Sequence, residues 1–439
     1  MFNLAIILKK VLFFYRAYGL KETLNKIRHE WQVRFYIKDG TASKNDFVLE
    51  SLDISSLGDL ENFVGSQFRG FGYPIAQYVK DFDEGGLEQF VLDLALLFRN
   101  AGCANIIIYS GQPGKLKLLA EKQGIVCLKV HSASDFNKVI LSTRVNKLFL
   151  HHSYDFLEEV AQTGIKIIEV VHNPYWWQRD NAHLKNLRSK FSKYVSVSNY
   201  VTKYMREQLA VPTEKIITIQ NFQQRITTRS TYNLGPKLYT FAHVANLNLQ
   251  KNHILLLKAF SIIKKEFLPD ATLLLLHSPK GNSEISTRIV NLISELGLEK
   301  SVTIRHPESP LDVAHFLSQS QLFVLPSTFE GFSLASLEAM SLGLPLVLTP
   351  CGGYEEIKAF GYPLKVVDGI IPAVENLNGD SILQLSLNPS DKVSEILANA
   401  MFDAANEYPL CVFPDLLEIS NFISGQKSID KYLELVHLP

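Results

Sequence analysis

Cysteine is scarce: four residues in a chain of 439, Cys103, Cys127, Cys351 and Cys411, lie far apart with no CxxC pair. This removes a disulfide framework and a zinc knuckle from consideration and suits a reducing, cytosolic setting. Net charge is missing too. The 44 Lys and Arg balance 44 Asp and Glu, so there is no strong positive field to meet a phosphate backbone, and nucleic acid is not an expected partner. No apolar run reaches the roughly 18 residues that span a bilayer. Several catalytic fingerprints are also absent. No strand is followed by GxGxxG, since YSGQPG (109–114) has the wrong spacing and lacks the third glycine, and there is no GxxxxGK[ST], HExxH or GxSxG. Dinucleotide hydride transfer, P-loop chemistry, zinc hydrolysis and serine hydrolysis therefore lose their sequence support. Without a tandem period of about 20 to 50 residues, a solenoid is excluded as well.

What the chain does have is core-forming material: 46% apolar residues against 20% charged. Its length implies two or three domains. The start, MFNLAIILKKVLFFYRAYGLK, is apolar but interrupted by Lys9 and Lys10 and followed by no small-residue cleavage site, which argues against a removable signal peptide. Residues 1–40 hold eight Lys and Arg against three Asp and Glu. Two readings stand side by side. One is an interfacial amphipathic helix whose Lys9, Lys10, Arg16 and Lys21 meet an anionic membrane surface. The other is a helix packed on the main body with a solvated basic face.

From residue 104 onward, short β-branched apolar runs alternate with helical patterns: ANIIIY (104–109), GIVCLKV (124–130), NKLFLHH (146–152), GIKIIEVV (164–171), KYVSVS (193–198) and KIITI (215–219). Such alternation predicts a parallel sheet covered by helices on both faces. A polar stretch at 221–237 reads as a linker, after which strand-like runs resume at LYTFAHV (238–244), ATLLLLH (271–277), SVTIR (301–305), QLFVLP (321–326) and LPLVLTP (344–350). The expected fold is α/β, two doubly wound parallel-sheet domains facing across a cleft, with ligands at the carboxyl ends of the strands.

The most informative stretch is FVLPSTFEGFSLASLEAMSLGLPLVLTPCGGYEEI (323–357), read as strand, turn, glycine-bearing loop, helix from near Ser333, strand and Gly-Gly turn. The amino end of that helix offers unpaired N–H groups and a positive dipole end to a phosphate or sugar oxygen. Glu330 and Glu338 stand eight apart. A carboxylate accepts hydrogen bonds from two vicinal hydroxyls at once, so two of them suit the two ends of a nucleotide sugar.

This stretch resembles the Glu-x7-Glu donor motif of the family-four retaining glycosyltransferases, enzymes of the GT-B fold. Companions follow in the family's order: DEGGLEQFVLDLALLFRNAG (83–102), EVVHNPYWW (169–177), KYVSVSNYV (193–201), IQNF (219–222) and HVANLNLQKNHILLLKAF (243–260). The resemblance covers about residues 70 to 360. It implies a basic, helical extension at 1–65, an acceptor domain at 66–230 completed by a returning helix at 427–439, and a donor domain at 231–426. It implies that Glu330 contacts donor sugar hydroxyls, Glu338 holds the ribose and Lys251 neutralises the diphosphate leaving group. Backbone N–H groups of Gly85, Gly86, Gly331, Phe332, Ser333 and Leu334 would complete the cradle, and His172 would stand beside the reacting sugar. Tyr175, Trp176 and Trp177 read either as an acceptor platform or as core.

Two positions depart from the family. Asn246 stands where an arginine is common, five residues before Lys251, with Arg305 as the candidate replacement. His306 and Pro307 replace a glycine at the base-binding loop. Asp81-Phe82-Asp83 imitates a metal-binding Asp-x-Asp but precedes the glycine-rich loop, so no metal is expected. The implied activity is transfer of a hexose-type unit from a nucleoside-diphosphate sugar, with no cofactor, to a glycan or lipid-linked acceptor. Its expected place is the cytoplasm or the inner membrane face, in bacterial surface polysaccharide synthesis. The rival readings are a catalytically inactive sugar-nucleotide scaffold and another GT-B enzyme such as an epimerase or phosphorylase.

Overall fold

The computed structural model describes residues 72–83, 85–175, 178, 181–223, 239–278, 283–307, 309–408 and 413–437. The basic segment 1–65, most of the expected linker, Trp176 and Trp177 lie outside the described residues.

Among the described residues, two parallel sheets form. The first has seven strands: β1 (Gly72–Val79), β2 (Cys103–Tyr109), β3 (Val126–Lys129), β4 (Lys147–Leu150), β5 (Lys166–Val171), β6 (Lys193–Ser196) and β7 (Ile216–Thr218). Their order is β3-β2-β1-β4-β5-β6-β7. The second has six: β8 (Thr240–Val244), β9 (Thr272–Leu276), β10 (Val302–Arg305), β11 (Leu322–Leu325), β12 (Leu346–Leu348) and β13 (Leu364–Val366), in the order β10-β9-β8-β11-β12-β13. Strands such as β2, β4 and β11 are buried along their whole length, which explains their largely apolar sequences.

Each sheet reverses its winding once, between β1 and β4 in the first and between β8 and β11 in the second. Loops leaving neighbouring strands at such a point diverge and open a crevice. The loops after β1, β4, β8 and β11 are therefore the ones placed to build a site.

Two elements differ from what apolar periodicity alone would give. β1 is a central strand that apolar periodicity does not show, because Pro74 and the fully buried Gln77 interrupt it; Gln77 Nε2 donates to Val91 O at 3.2 Å. The run NHILLLKAFSIIKKEF is not one regular helix: His253–Ile262 is α-helical and Ile263–Phe267 continues with wider turns. The helix Gln426–His437 packs on the first domain. Its Tyr432 ring meets Phe90, Phe98, Phe149 and Phe222 at centroid distances of 6.0–6.5 Å.

Candidate functional site

The second domain supplies charge. After β8 the chain passes Asn246 and a short 3-10 turn, Leu249–Lys251, to Asn252, whose φ of 54° starts the helix His253–Ile262. Because β8 and β11 are neighbours, this loop meets the one that follows β11. Asn252 stitches them together. Its Nδ2 donates to Pro326 O at 2.6 Å and to Thr328 Oγ1 at 3.0 Å, while its Oδ1 accepts from Ser386 Oγ at 2.6 Å. The Thr328 N–H donates to Gln250 O at 2.8 Å. The stitch brings Lys251 Nζ into an ion pair with Glu330 Oε1, which also accepts from Ser327 Oγ at 2.7 Å. Glu330 is only 7% exposed, so this pair sits where screening is weak.

Glu338 lies on the helix Leu334–Ser341, whose N-cap Ser333 accepts from Ser336 N at 3.2 Å. It borders a concavity lined by Gln223, Pro310, Val313 and Ala314, and Gln223 Nε2 donates to its Oε1 at 3.4 Å. Between the two glutamates, the first domain holds the backbone from outside. Ser198 Oγ donates to Gly331 O at 2.7 Å and Asn221 Nδ2 to Phe332 O at 3.3 Å. In a trans peptide the following N–H points opposite to the carbonyl. The N–H groups of Phe332 and Ser333 are thus aimed away from the residues that grip those carbonyls.

Gly331 must be glycine. A Cβ there would stand 1.5 Å from His172 O. Across the cleft, a Cβ on Gly86 would lie 3.7 Å from Leu334 Cδ1, so the glycine-rich turn faces the amino end of the Leu334 helix. These two approaches, with Asn199 N donating to Glu356 Oε1 at 2.7 Å, join the domains around the site.

The first domain's contribution is mostly neutral. His172 follows β5, and His151 and His152 follow β4, the strand beside it. His151 Nδ1 lies 2.9 Å from His172 Nε2, and the His172 N–H donates to His152 Nε2 at 3.1 Å. Burial pushes the pKa of all three imidazoles down, that of His152 to about 3, so they are uncharged near neutral pH. Tyr175 lies tilted against His152 at 4.9 Å and meets Phe329 of the second domain at 6.3 Å. Glu88, on the helix Gly86–Asn100, folds back over Gly85. Burial raises its carboxyl to about 7, with Asp81 and Asp83 adding to the shift.

Those two aspartates serve the loop. Asp81 Oδ1 accepts from Gln112 N at 2.9 Å and Asp83 Oδ1 from Lys115 N at 3.2 Å. Lys251, Glu330, Gly331, Phe332, Ser333, Leu334, Gly86, His172 and Tyr175 thus gather around one cleft. Asn246 is exposed on the β8 loop, its carbonyl accepting from Asn248 N at 2.8 Å. Arg305 is exposed at the end of the edge strand β10, two strands from β8, with Nη1 donating to Ile304 O at 3.1 Å. Glu88, His151, His152 and Asn252 belong to the site and carry no motif of their own. The only signals in the sequence were weak: an acidic residue three positions after a glycine for Glu88, and a His-His pair at the end of an apolar run for His151 and His152.

Residues 224–370 match the family described as Glycosyl transferases group 1. Among curated proteins, the chain is 29% identical over 163 residues to a UDP-Gal:alpha-D-GlcNAc-diphosphoundecaprenol alpha-1,3-galactosyltransferase of Escherichia coli, covering 35% of this chain and 41% of that one. It is 26% identical over 198 residues to a D-inositol 3-phosphate glycosyltransferase of Corynebacterium efficiens, covering 44% and 47%. The match spans less than half the length of these relatives. Two solved structures share the fold over most of the chain. A glycosyltransferase from Rickettsia africae has a TM-score of 0.61 at 19% identity, covering 83% of this chain and 97% of that one. Anabaena HepE in complex with UDP and glucose has 0.57 at 18%, covering 82% and 99%. The chain therefore has the GT-B fold, and the part of it that builds the charged half of the site matches the group 1 glycosyl transferases.

Proposed function

We propose that this protein is a retaining glycosyltransferase that moves a hexose-type sugar from a nucleoside-diphosphate sugar to a hydroxyl of a glycan or lipid-linked glycan. The observation that carries the reading is the convergence of Lys251, Glu330 and the amino end of the Leu334 helix at the switch point of the second sheet, with Glu338 on that helix. Lys251 meets the diphosphate, whose charge grows as the glycosidic bond breaks, so its attraction is greater in the transition state than in the ground state. The N–H groups of Phe332 and Ser333 add donors for the same oxygens. Glu330 accepts from donor sugar hydroxyls and Glu338 from the ribose.

Among the described residues, no side chain in this cleft is an evident nucleophile. Burial holds the Cys351 thiol, near Glu330, up at about 12 and so protonated. Front-face departure and attack, with the leaving phosphate accepting the acceptor's proton, is the mechanism that these groups suit. It draws on no metal. Names of the curated relatives, one acting on a diphosphoundecaprenol-linked sugar, support a lipid-linked acceptor at the inner face of a bacterial membrane. A thermal-shift screen against UDP, GDP and ADP sugars, followed by transfer from the best binder, tests the reading. A ligand at about 100 times its Kd should stabilise the fold by about 2.7 kcal/mol. Absence of any shift would remove the donor site.

A further inference from the structure

The mechanism above draws on the second domain and leaves unexplained why His151 and His152 are packed against His172 on the first. His151 has two ring nitrogens. Nδ1 faces His172 Nε2 at 2.9 Å, and Nε2 is enclosed with no partner among the described residues. Its aromatic neighbour is Phe90, edge-on at 6.2 Å. In a neutral imidazole one nitrogen carries the proton and the other a lone pair. If the proton were on Nε2, a buried N–H would be orphaned, which folded proteins tolerate less readily than an unpaired acceptor. The less costly arrangement places it on Nδ1, which then donates to His172 Nε2.

That assignment propagates. With Nε2 accepting, His172 carries its own proton on Nδ1. His172 keeps 6% of its surface exposed, and Nδ1 is the ring nitrogen that His151 does not engage, the one left to meet a ligand. The backbone on either side of this ring is fixed: its N–H is taken by His152 Nε2, and its carbonyl abuts Gly331.

We infer that His151 is a positioning residue that sets the tautomer of His172, so that His172 presents an N–H donor, and no basic lone pair, to an oxygen in the cleft. This rests on the glycosyltransferase reading for its consequence, though not for its geometry. His172 then stabilises a sugar or phosphate oxygen as charge develops and cannot remove the acceptor's proton. No atom is transferred to or from either ring.

The test separates the two levels. Selective 15N-histidine labelling of the full chain, with His172→Gln identifying its signals, reads the tautomer by long-range 1H–15N correlation at neutral pH without any ligand. The expected spectrum has His172 protonated at Nδ1 and bare at Nε2; protonation at Nε2 in the wild type overturns the inference. His151→Asn keeps an N–H near the position of Nδ1 and should preserve the tautomer, whereas His151→Leu should release it. With UDP-glucose and UDP-galactose as probes, His151→Leu should lower kcat by on the order of tenfold to a hundredfold with KM little changed, and His151→Asn should restore most of it. Equal losses in both variants would mean a packing role only and would also overturn the inference. If neither probe turns over in the wild type, the spectra still decide the tautomer, and it is the functional reading that fails. Should His151→Leu not fold, the wild-type and His151→Asn spectra suffice.

Discussion

The two switch points solve different problems with different residues. The second sheet's edge carries Lys251, Glu330 and Glu338, held by polar stitches through Asn252 and Ser327. The first sheet's edge carries three neutral histidines, Tyr175 and a carboxyl raised to about 7 at Glu88. A charged wall facing a neutral, desolvated one strengthens the first, because each charge then acts through a medium of low effective dielectric. The asymmetry fits the proposed division of labour, with a diphosphate donor at the charged edge and hydroxyl-bearing partners at the neutral one.

The sharpest way to break this contrast is to remove the cation. Lys251→Ala should lower turnover of a nucleotide sugar by at least about a hundredfold. Because it also strands the buried Glu330 carboxylate, unfolding should be followed in parallel, and Lys251→Met with Glu330→Gln should recover stability but not activity. Normal turnover in a folded Lys251→Ala protein would end the assigned role.

A smaller effect should come from prising the two edges apart. Gly331→Ala inserts a methyl where His172 O already stands, and overpacking of this kind costs about 1–3 kcal/mol. The expected outcome is about a tenfold loss in kcat with nucleotide affinity nearly intact, since Lys251 and Glu338, proposed to hold the nucleotide, both lie on the second domain. An equal fall in nucleotide affinity would show that the contact supports the donor site instead.

Adding charge sharpens the comparison. Asn246→Arg should raise donor affinity by about tenfold, as one more charge-assisted contact is worth about 1.5–3 kcal/mol before ordering costs. A neutral result would mean that another cation, with Arg305 the candidate, already serves the diphosphate; Arg305→Ala should then be damaging. The exposed place of Arg305 on β10 favours the first outcome.

The smallest effect concerns Glu88. Its folded pKa is raised to about 7, so the native state holds this proton more tightly than the unfolded chain does. The stability it supports is fully present below the unfolded carboxyl value and falls as pH rises toward 7, after which the difference is constant. Urea unfolding of wild type and Glu88→Gln between pH 4.5 and 8 should therefore diverge, with the variant losing less stability across that window. Parallel curves would place Glu88 in water.

Much of the charged edge was legible in the sequence, and little of the neutral edge was. Glu330, Glu338 and Lys251 lie in local strand–loop–helix patterns whose turn residues show where the backbone must open. His151 was no more than the end of an apolar run, NKLFLHH, because its meaning depends on β4 lying beside β5, a pairing that no local pattern specifies. The strand β1 was missed for a related reason: Gln77 is polar yet fully buried, and only a tertiary hydrogen bond to Val91 O makes that acceptable. β13 is three residues long, LKV, too short for any periodicity to show.

The central claim is that the helix Leu334–Ser341 grips a nucleotide through Glu338, and calorimetry with the best-binding nucleoside diphosphate tests it most directly. Glu338→Gln keeps the shape and removes the charge from accepted hydrogen bonds worth about 1.5–3 kcal/mol each. On a variant shown to be folded, the nucleotide Kd should rise at least about tenfold; an unchanged Kd would contradict the account.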